Sequence, residues 1–389
     1  MSKRKSHLFL IFCLLITMMA GCGRMEDSGT VVEGESTDSQ IPQIQGLTYE
    51  SSMELQYAQG FAVYYYQDGY ALIEIQEGER YLVVPEGKSA PEGVEEDITI
   101  LQKQLDHIYL TGTSAMALFD SLDALENIRM SGIEASGWYV EHAKQAMEDG
   151  EILYAGKYSE PDYEMLLDEG CNLAIESTMI LHTPKVKEML EDLDIPVLID
   201  RSSYESHPLG RTEWIKLYGV LTDREQEAEA FFEKQAEVMD SMEEIEDTGK
   251  TVVFFYLNTD GTVVVRKSDD YIPAMIEIAG GHYVFADLEN TESNSPSVDL
   301  TMEEFYSQAV DADYLIYNAA IDNPIQSIDE LVAKNELFAD FKAVKEGNVW
   351  CTGKYLYQAT DKVGNLITDI HLMLTDQDES GMLFLYKVQ

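Results

Sequence analysis

Residues 195–258 read IPVLIDRSSYESHPLGRTEWIKLYGVLTDREQEAEAFFEKQAEVMDSMEEIEDTGKTVVFFYLN, and the order of patterns in that stretch decides the fold. It opens with a short apolar run rich in β-branched residues, IPVLID, which predicts a buried strand. A Pro- and Gly-containing loop follows. Residues 222–247 then contain neither Pro nor Gly, and Ala228, Phe231, Phe232, Ala236 and Met239 recur at helical spacing. Thr222 and Glu225 have the spacing of a capping box at its start. A continuous helix over 222–247 would reach roughly 35–40 Å, enough to cross between two lobes. An ordinary acidic surface helix is the other reading. What favours a connector is that TVVFFYLN begins a second α/β pattern at once.

The same alternation extends in both directions. Upstream, HIYLTGTS (107–114) reads as a strand ending in a loop, with a helix over 115–125, and CNLAIEST (171–178) is followed by a helix over 184–193. Downstream come TVVVR (262–266), a helix around 274–279, ADYLIYN (312–318), a helix near 328–337 and NVWCT (348–352). Strands alternating with helices imply largely parallel sheets, with ligands collected at the carboxyl ends of the strands. That singles out the loops 111–116, 176–179 and 201–211. The fold class expected is α/β, two α/β lobes bridged by one long helix. The N-terminal lobe covers 47–221, the interlobe helix 222–247 and the C-terminal lobe 248–389. Before the alternation, AVYYYQDGY, ALIEIQEGER and YLVVPEG (62–87) predict antiparallel strands joined at Asp68-Gly69 and Glu77-Gly78.

The chain begins with Lys3-Arg4-Lys5, an unbroken apolar stretch over 8–19, then Ala20-Gly21-Cys22. This predicts an export signal over 1–21, with Cys22 the lipidated first residue of the mature protein. A plain signal peptide or a short anchor is the alternative, and Met19 stands where a lipobox has leucine. Residues 22–46 are polar, acidic and aperiodic, and predict a flexible tether. Localisation is then extracytoplasmic, held to the membrane by the lipid on Cys22.

Net charge is −46. Losing three basic residues with the signal takes 26 to 23 against 72 acidic residues, or −49. Such a balance argues against nucleic acid as a partner, which needs basic surface. Cys171 and Cys351 are the two cysteines left besides Cys13 and Cys22, and they are expected to be unpaired.

No catalytic signature is present: no G-x-S-x-G, H-E-x-x-H, G-x-x-x-x-G-K or G-x-G-x-x-G. The histidines at 107, 142, 182, 207, 282 and 371 have no metal-ligand spacing, so neither metal nor cofactor is expected and the protein is read as no enzyme. The densest functional cluster is RSSYESHPLGRTEW (201–214), holding Tyr204, Glu205, His207, Arg211 and Trp214: Tyr204 is assigned to a cleft, Arg211 is a candidate cation or the internal partner of Glu205, and Trp214 fits core or cleft equally. Further candidates at strand ends or in loops are Thr113, Ser114, Trp138, Tyr139, Lys157, Tyr158, Tyr256, Arg266 and Tyr271. Arg211, Lys157 and Arg266 in so acidic a chain hint at an anionic or carboxylate-bearing ligand.

Together these features resemble the substrate-binding lipoproteins of ABC importers, in the class for ferric siderophores, haem and cobalamin. The likeness covers about residues 62–389. It rests on TGTSAMALFDSL, PDYEMLLDEGCNLAI, the stretch from IPVLID to EAFF, MIEIAGGHYVFAD, DLTMEEFYSQAVDADYLIYN and FKAVKEGNVWCT, in that order. The resemblance implies a cleft between two lobes that capture a metal complex, most often an iron chelate, and hand it to the permease and its ATPase. It also implies a monomer whose lobes each dock on the permease through a surface glutamate, Glu164 in PDYEML and Glu303 in LTMEEFY, with Glu304 the alternative for Glu303. A hydrolase or a sensory or adhesive lipoprotein on the same fold are the other classes. The opening strands are longer than the family's usual hairpin, and no haem-ligand motif is present.

Overall fold

Each lobe grows from strands whose two faces are both apolar. In the computed structural model, which describes residues 41–240, 242, 245–288 and 295–389, the run KTVVFFYL forms strand Lys250–Leu257. Val252, Val253, Phe254 and Phe255 along it are all buried. A strand covered on both faces has no polar alternation, which is why it was legible as a continuous apolar run.

The first lobe's sheet is wholly parallel. Its order is Val197–Asp200, Leu173–Ser177, Ile108–Leu110, Ile128–Ser131 and Leu153–Tyr154. The second lobe's sheet is mixed. Lys250–Leu257 pairs in parallel with Tyr314–Tyr317 and Gly281–Tyr283, but antiparallel with Val263–Arg266. Val349–Thr352 then lies parallel to Tyr314–Tyr317, and Leu385–Lys387 closes the edge antiparallel. The expectation of largely parallel sheets therefore holds for one lobe only. In the second, the short TDG connection (259–261) after Leu257 allows a hairpin, not a crossover.

A third sheet precedes both. Tyr49–Ser52, Phe61–Tyr66, Tyr70–Ile75 and Glu79–Val84 run antiparallel, and Ile98–Gln102 adds in parallel. Both connections expected as turns carry positive φ: Asp68 and Gly69 at 67° and 84°, Glu77 and Gly78 at 74° and 94°. One face of this sheet (Phe61, Val63, Ile73, Val83) joins the main core. The other face (Tyr66, Leu72, Leu82, Val84) is apolar too and needs a cover. Residues 42–46 help supply it, correcting the tether reading there: Ile44 is buried against this face and Tyr66 Oη donates to Pro42 O at 2.7 Å. Residues 1–40, with the signal and Cys22, lie outside the described residues.

The connector differs from its expectation. Thr222 ends one helix, Ile215–Thr222, and its hydroxyl donates back to Tyr218 O at 2.8 Å instead of capping the next. Asp223 takes a left-handed conformation (φ 58°) and breaks the chain direction. The connecting helix is Glu225–Asp240, about 24 Å long at the usual rise. It still touches both lobes. Phe232 meets Tyr57 at 6.3 Å between ring centres, and Val238 Cγ1 would lie 3.1 Å from a β-carbon at Gly364.

Candidate functional site

The lobes meet along a seam, and the residues that close it come from the carboxyl ends of strands and the helices after them. Helix Thr113–Ser121 packs on the second lobe's turns Leu356–Gln358 and Thr360–Lys362. Helix Pro208–Glu213 packs on Tyr271–Ile278 and Val363–Leu374. Three contacts tie the seam directly. Thr212 Oγ1 donates to Thr360 O at 2.9 Å, Gln358 Oε1 accepts from Tyr139 N at 2.8 Å, and Gln358 Nε2 donates to Gly137 O at 2.8 Å.

Two cavities open on the seam. One, of about 240 Å³, is charged: Glu77, Arg201, Tyr204 and Glu205 face Lys267 and Asp270. The other, of about 510 Å³, is mostly apolar, with Ala117, Tyr139 and Val140 facing Tyr355, Ala359 and Phe384. Between them, Arg211 lies over the Tyr271 ring at 3.9 Å beside a void of about 10 Å³.

The charged cavity has a rigid wall. Glu205 Oε2 and Oε1 accept from Gln59 N and Gly60 N at 2.9 and 2.8 Å, and Oε1 also accepts from Trp214 Nε1 at 2.9 Å. A β-carbon at position 60 would sit 2.8 Å from Glu205 Oε1 and 3.0 Å from Trp214 Cζ2, so a larger residue there would push on this wall. Glu213, wholly buried, does the same for the preceding segment, accepting from Gln56, Tyr57 and Ala58 N, with Lys216 Nζ at 3.2 Å. The two together bolt the opening sheet to the helix beside the seam.

On the second lobe, Arg266 reaches Asp270 Oδ2 at 3.3 Å and also donates to Tyr357 Oη. Asn318 Nδ2 donates to the same oxygen at 2.7 Å. Burial pushes the Asp270 carboxyl up, opposed by Arg266. Tyr256 is half-buried on the central strand near Tyr357, and burial raises its phenol first, Tyr357 next.

The sequence-derived candidates divide accordingly. Tyr204, Tyr139, Arg211, Arg266 and Tyr271 stand at the seam or in the cluster behind it. Thr113 is half-buried at the start of the seam-facing helix, and Ser114 beside it is buried and donates to Asp200. Trp138 is corrected to core, and Trp214, open between core and cleft, is core as well: they are 2% and 0% exposed, with their indole N–H groups on Ser131 Oγ at 3.0 Å and on Glu205. Lys157 and Tyr158 line neither cavity. They sit on the two-stranded hairpin Gly156–Lys157/Glu160–Pro161, where Lys157 pairs with Glu160 at 3.0 Å. His207 caps its helix, its Nδ1 accepting from Leu209 N at 3.2 Å, and burial lowers its pKa.

Lys267 and Asp270 were not singled out, whereas Arg201 and Glu205 belong to the 201–214 cluster, in which Glu205 takes up Gln59, Gly60 and Trp214. The available signal was the pair Arg266-Lys267 closing a β-branched strand in an acidic chain. Glu164 and Glu303 are exposed in the first turns of Tyr163–Asp168 and Met302–Ala309. Glu304 is committed to a capping box with Thr301, which leaves Glu303 the available acid of the two. Cys171 and Cys351 are free thiols.

Comparison with known proteins agrees with this architecture. Residues 119–356 match the family model described as periplasmic binding protein. An uncharacterized lipoprotein of Methanocaldococcus jannaschii is 23% identical over 73% of this chain and 67% of its own length. Among solved structures, a possible iron-binding (periplasmic solute-binding) protein from Staphylococcus epidermidis superposes with a TM-score of 0.55 at 17% identity, covering 70% of this chain and 99% of that one. A periplasmic heme binding protein from Pseudomonas aeruginosa gives 0.57 at 13% identity, covering 73% and 98%. At these identities the structural likeness speaks for the fold.

Proposed function

The chain belongs to the periplasmic binding protein family, and on that footing we propose that it is the solute-binding component of an ABC importer. It captures a metal complex, an iron chelate foremost, and delivers it to a membrane permease without doing chemistry of its own. The observation that carries this reading is the seam itself: two α/β lobes whose strand-end loops and helices together wall cavities that neither lobe forms alone. A ligand bound there touches both lobes, so binding energy is converted into closure. The arrangement proposed along the chain is signal 1–21, lipidated Cys22 with its tether, and the two lobes. The lipid keeps the receptor beside its permease, and incorporation of labelled palmitate that Cys22→Ala abolishes is the check.

Trp214 hydrogen-bonds Glu205 in the wall of the charged cavity, so its fluorescence reports on occupancy. Titration against ferric siderophores, heme and corrinoids should give a saturable change for one of them. No response to any of these, together with no stimulation of a reconstituted permease, refutes the proposal. Docking is tested separately. Reversing Glu164 and Glu303 to Lys should reduce uptake more than tenfold and leave ligand affinity within about twofold, since charged rims steer association and add little at a distance. Normal uptake by the double variant rejects those two positions.

A further inference from the structure

One cation at the seam is left unanswered. Arg211 is 4% exposed, and among the described residues its side chain forms no ion pair and no hydrogen bond; its buried Nε has no acceptor. Its partner is the face of Tyr271, 3.9 Å from the guanidinium carbon to the ring centre. Neighbouring cations are answered. Arg266 has Asp270 and Tyr357, Arg201 has Glu77 at 3.0 Å, and Lys362 has Asp361 at 3.2 Å. Asp270, the carboxylate that acts on Arg211, is committed elsewhere, its Oδ1 capping Ile272 N at 2.9 Å and its Oδ2 facing Arg266.

A guanidinium on an aromatic face is attracted by the ring, but desolvating a charge costs more than such a contact returns. Stacking uses the flat face of the group and leaves its N–H edge, the fork that fits a carboxylate or phosphate bidentately. We propose that Arg211 is the receptor for an oxyanion group of the ligand, a carboxylate or phosphate, so that the cargo is an anionic complex. The stack crosses the seam, from the first lobe's helix Pro208–Glu213 to the second lobe's Tyr271–Ile278. The adjoining void of about 10 Å³ admits at most one water, so the fork becomes available as the lobes part. Parting them lifts Arg211 off Tyr271, and reclosure on the oxyanion satisfies it.

This inference rests on the reading of the seam as a ligand cleft. Its test compares ferric citrate, an anionic carboxylate chelate, with ferrioxamine B, a cationic hydroxamate chelate, on the full chain and on Arg211→Met and Arg211→Lys. Ferric citrate should bind the unaltered protein, weaken about 10- to 100-fold in Arg211→Met, and fall between in Arg211→Lys, as expected for a charge-assisted hydrogen bond. Citrate or inorganic phosphate alone should raise Tm of the unaltered protein and not of Arg211→Met, and the stronger of the two tells carboxylate from phosphate. Arg211→Met removes an unanswered charge and should fold at least as stably; should it not, Arg211→Lys carries the comparison. Equal affinity of Arg211→Met for ferric citrate overturns the inference. So does binding of ferrioxamine B with ferric citrate ignored, an outcome that leaves the importer reading standing. Binding of neither chelate also overturns it, and permease stimulation then decides the importer reading on its own.

Discussion

The two cavities share one seam and are built in opposite ways. The wall of the charged cavity is fixed from behind, where Glu205 gathers Gln59 N, Gly60 N and Trp214 Nε1, and Arg201 is held at 7% exposure beside Glu77 and Glu79. Across the apolar cavity the hydrogen bonds come from Gln358, which spans to Gly137 and Tyr139, beside a Tyr139–Tyr355 ring contact at 6.0 Å; Tyr139 and Leu383 are 44% and 50% exposed, as Tyr204 (44%) is in the charged cavity. A preorganised wall spends little entropy when a ligand arrives and so favours selectivity. A wall of exposed residues and few hydrogen bonds opens at low free-energy cost. On the proposed reading of the seam as a ligand cleft, this difference would give the charged end the fixed wall and the apolar end the larger share of lobe movement.

The strongest challenge to that contrast is Glu205→Ala. It strands the Gly60 N–H and the Trp214 indole N–H in a buried place, with the part-buried Gln59 N–H beside them, at about 1–3 kcal/mol for each buried group left unpaired. A stability loss of about 3–5 kcal/mol is expected from urea denaturation, read as a lower midpoint with an unchanged slope. Glu205→Gln keeps one acceptor oxygen and should lose less. A loss below about 1 kcal/mol in Glu205→Ala would mean the wall is not fixed in this way.

Why the strands could be read from sequence and the wall could not follows from the range of the interactions. TVVFFYLN, CNLAIEST and ADYLIYN are buried on both faces, and local apolar runs announce that. Thr222 and Glu225 have capping-box spacing, yet the break depends on Asp223 adopting a left-handed conformation that glycine would have advertised. Ile44 lies in a polar stretch and is buried only because the far side of a distant sheet needs covering. Within the site, the loop 201–211 was found as a unit, since its position after a strand is local information. Whether Trp214 would face the cleft was decided by Glu205 taking its indole N–H, and that pairing depends on residues 59 and 60 far away in sequence. Lys157 and Arg211 looked alike as loop cations. One ended in an exposed pair with Glu160, the other under the second lobe, because only tertiary packing distinguishes them.

Glu176 sharpens the comparison from the other side, being a buried carboxylate without backbone donors among the described residues. It is fully buried at the end of strand Leu173–Ser177; Thr111 donates to Oε2, and Oε1 has no partner among the described residues. Burial pushes its pKa up to about 7, with the Thr111 hydrogen bond opposing. A raised carboxyl binds its proton more tightly folded than unfolded. Its stabilising effect is therefore complete below the unfolded value near 4.5 and is lost as pH rises through about 7. The loss amounts to about 3 kcal/mol. Glu176→Gln should flatten that part of the pH–stability profile and be the more stable protein at pH 8. An unchanged profile would show that burial does not raise the Glu176 carboxyl in this way.

Gln358→Ala probes the loose end and should have the smallest effect. It removes two hydrogen bonds, but Tyr139 is 44% exposed and its amide can turn to water, so no buried donor is stranded. About 1 kcal/mol of stability is the expected loss, the net worth of hydrogen bonds exchanged with solvent. The informative readout is local: hydrogen exchange at the Tyr139 amide should quicken about fivefold, as about 1 kcal/mol implies, while Gln59 and Gly60 keep their protection. Faster exchange at all three would mean that the seam and the Glu205 wall open as one unit. Recognition and movement would then share a single element, and the division between the two cavities would be one of polarity alone.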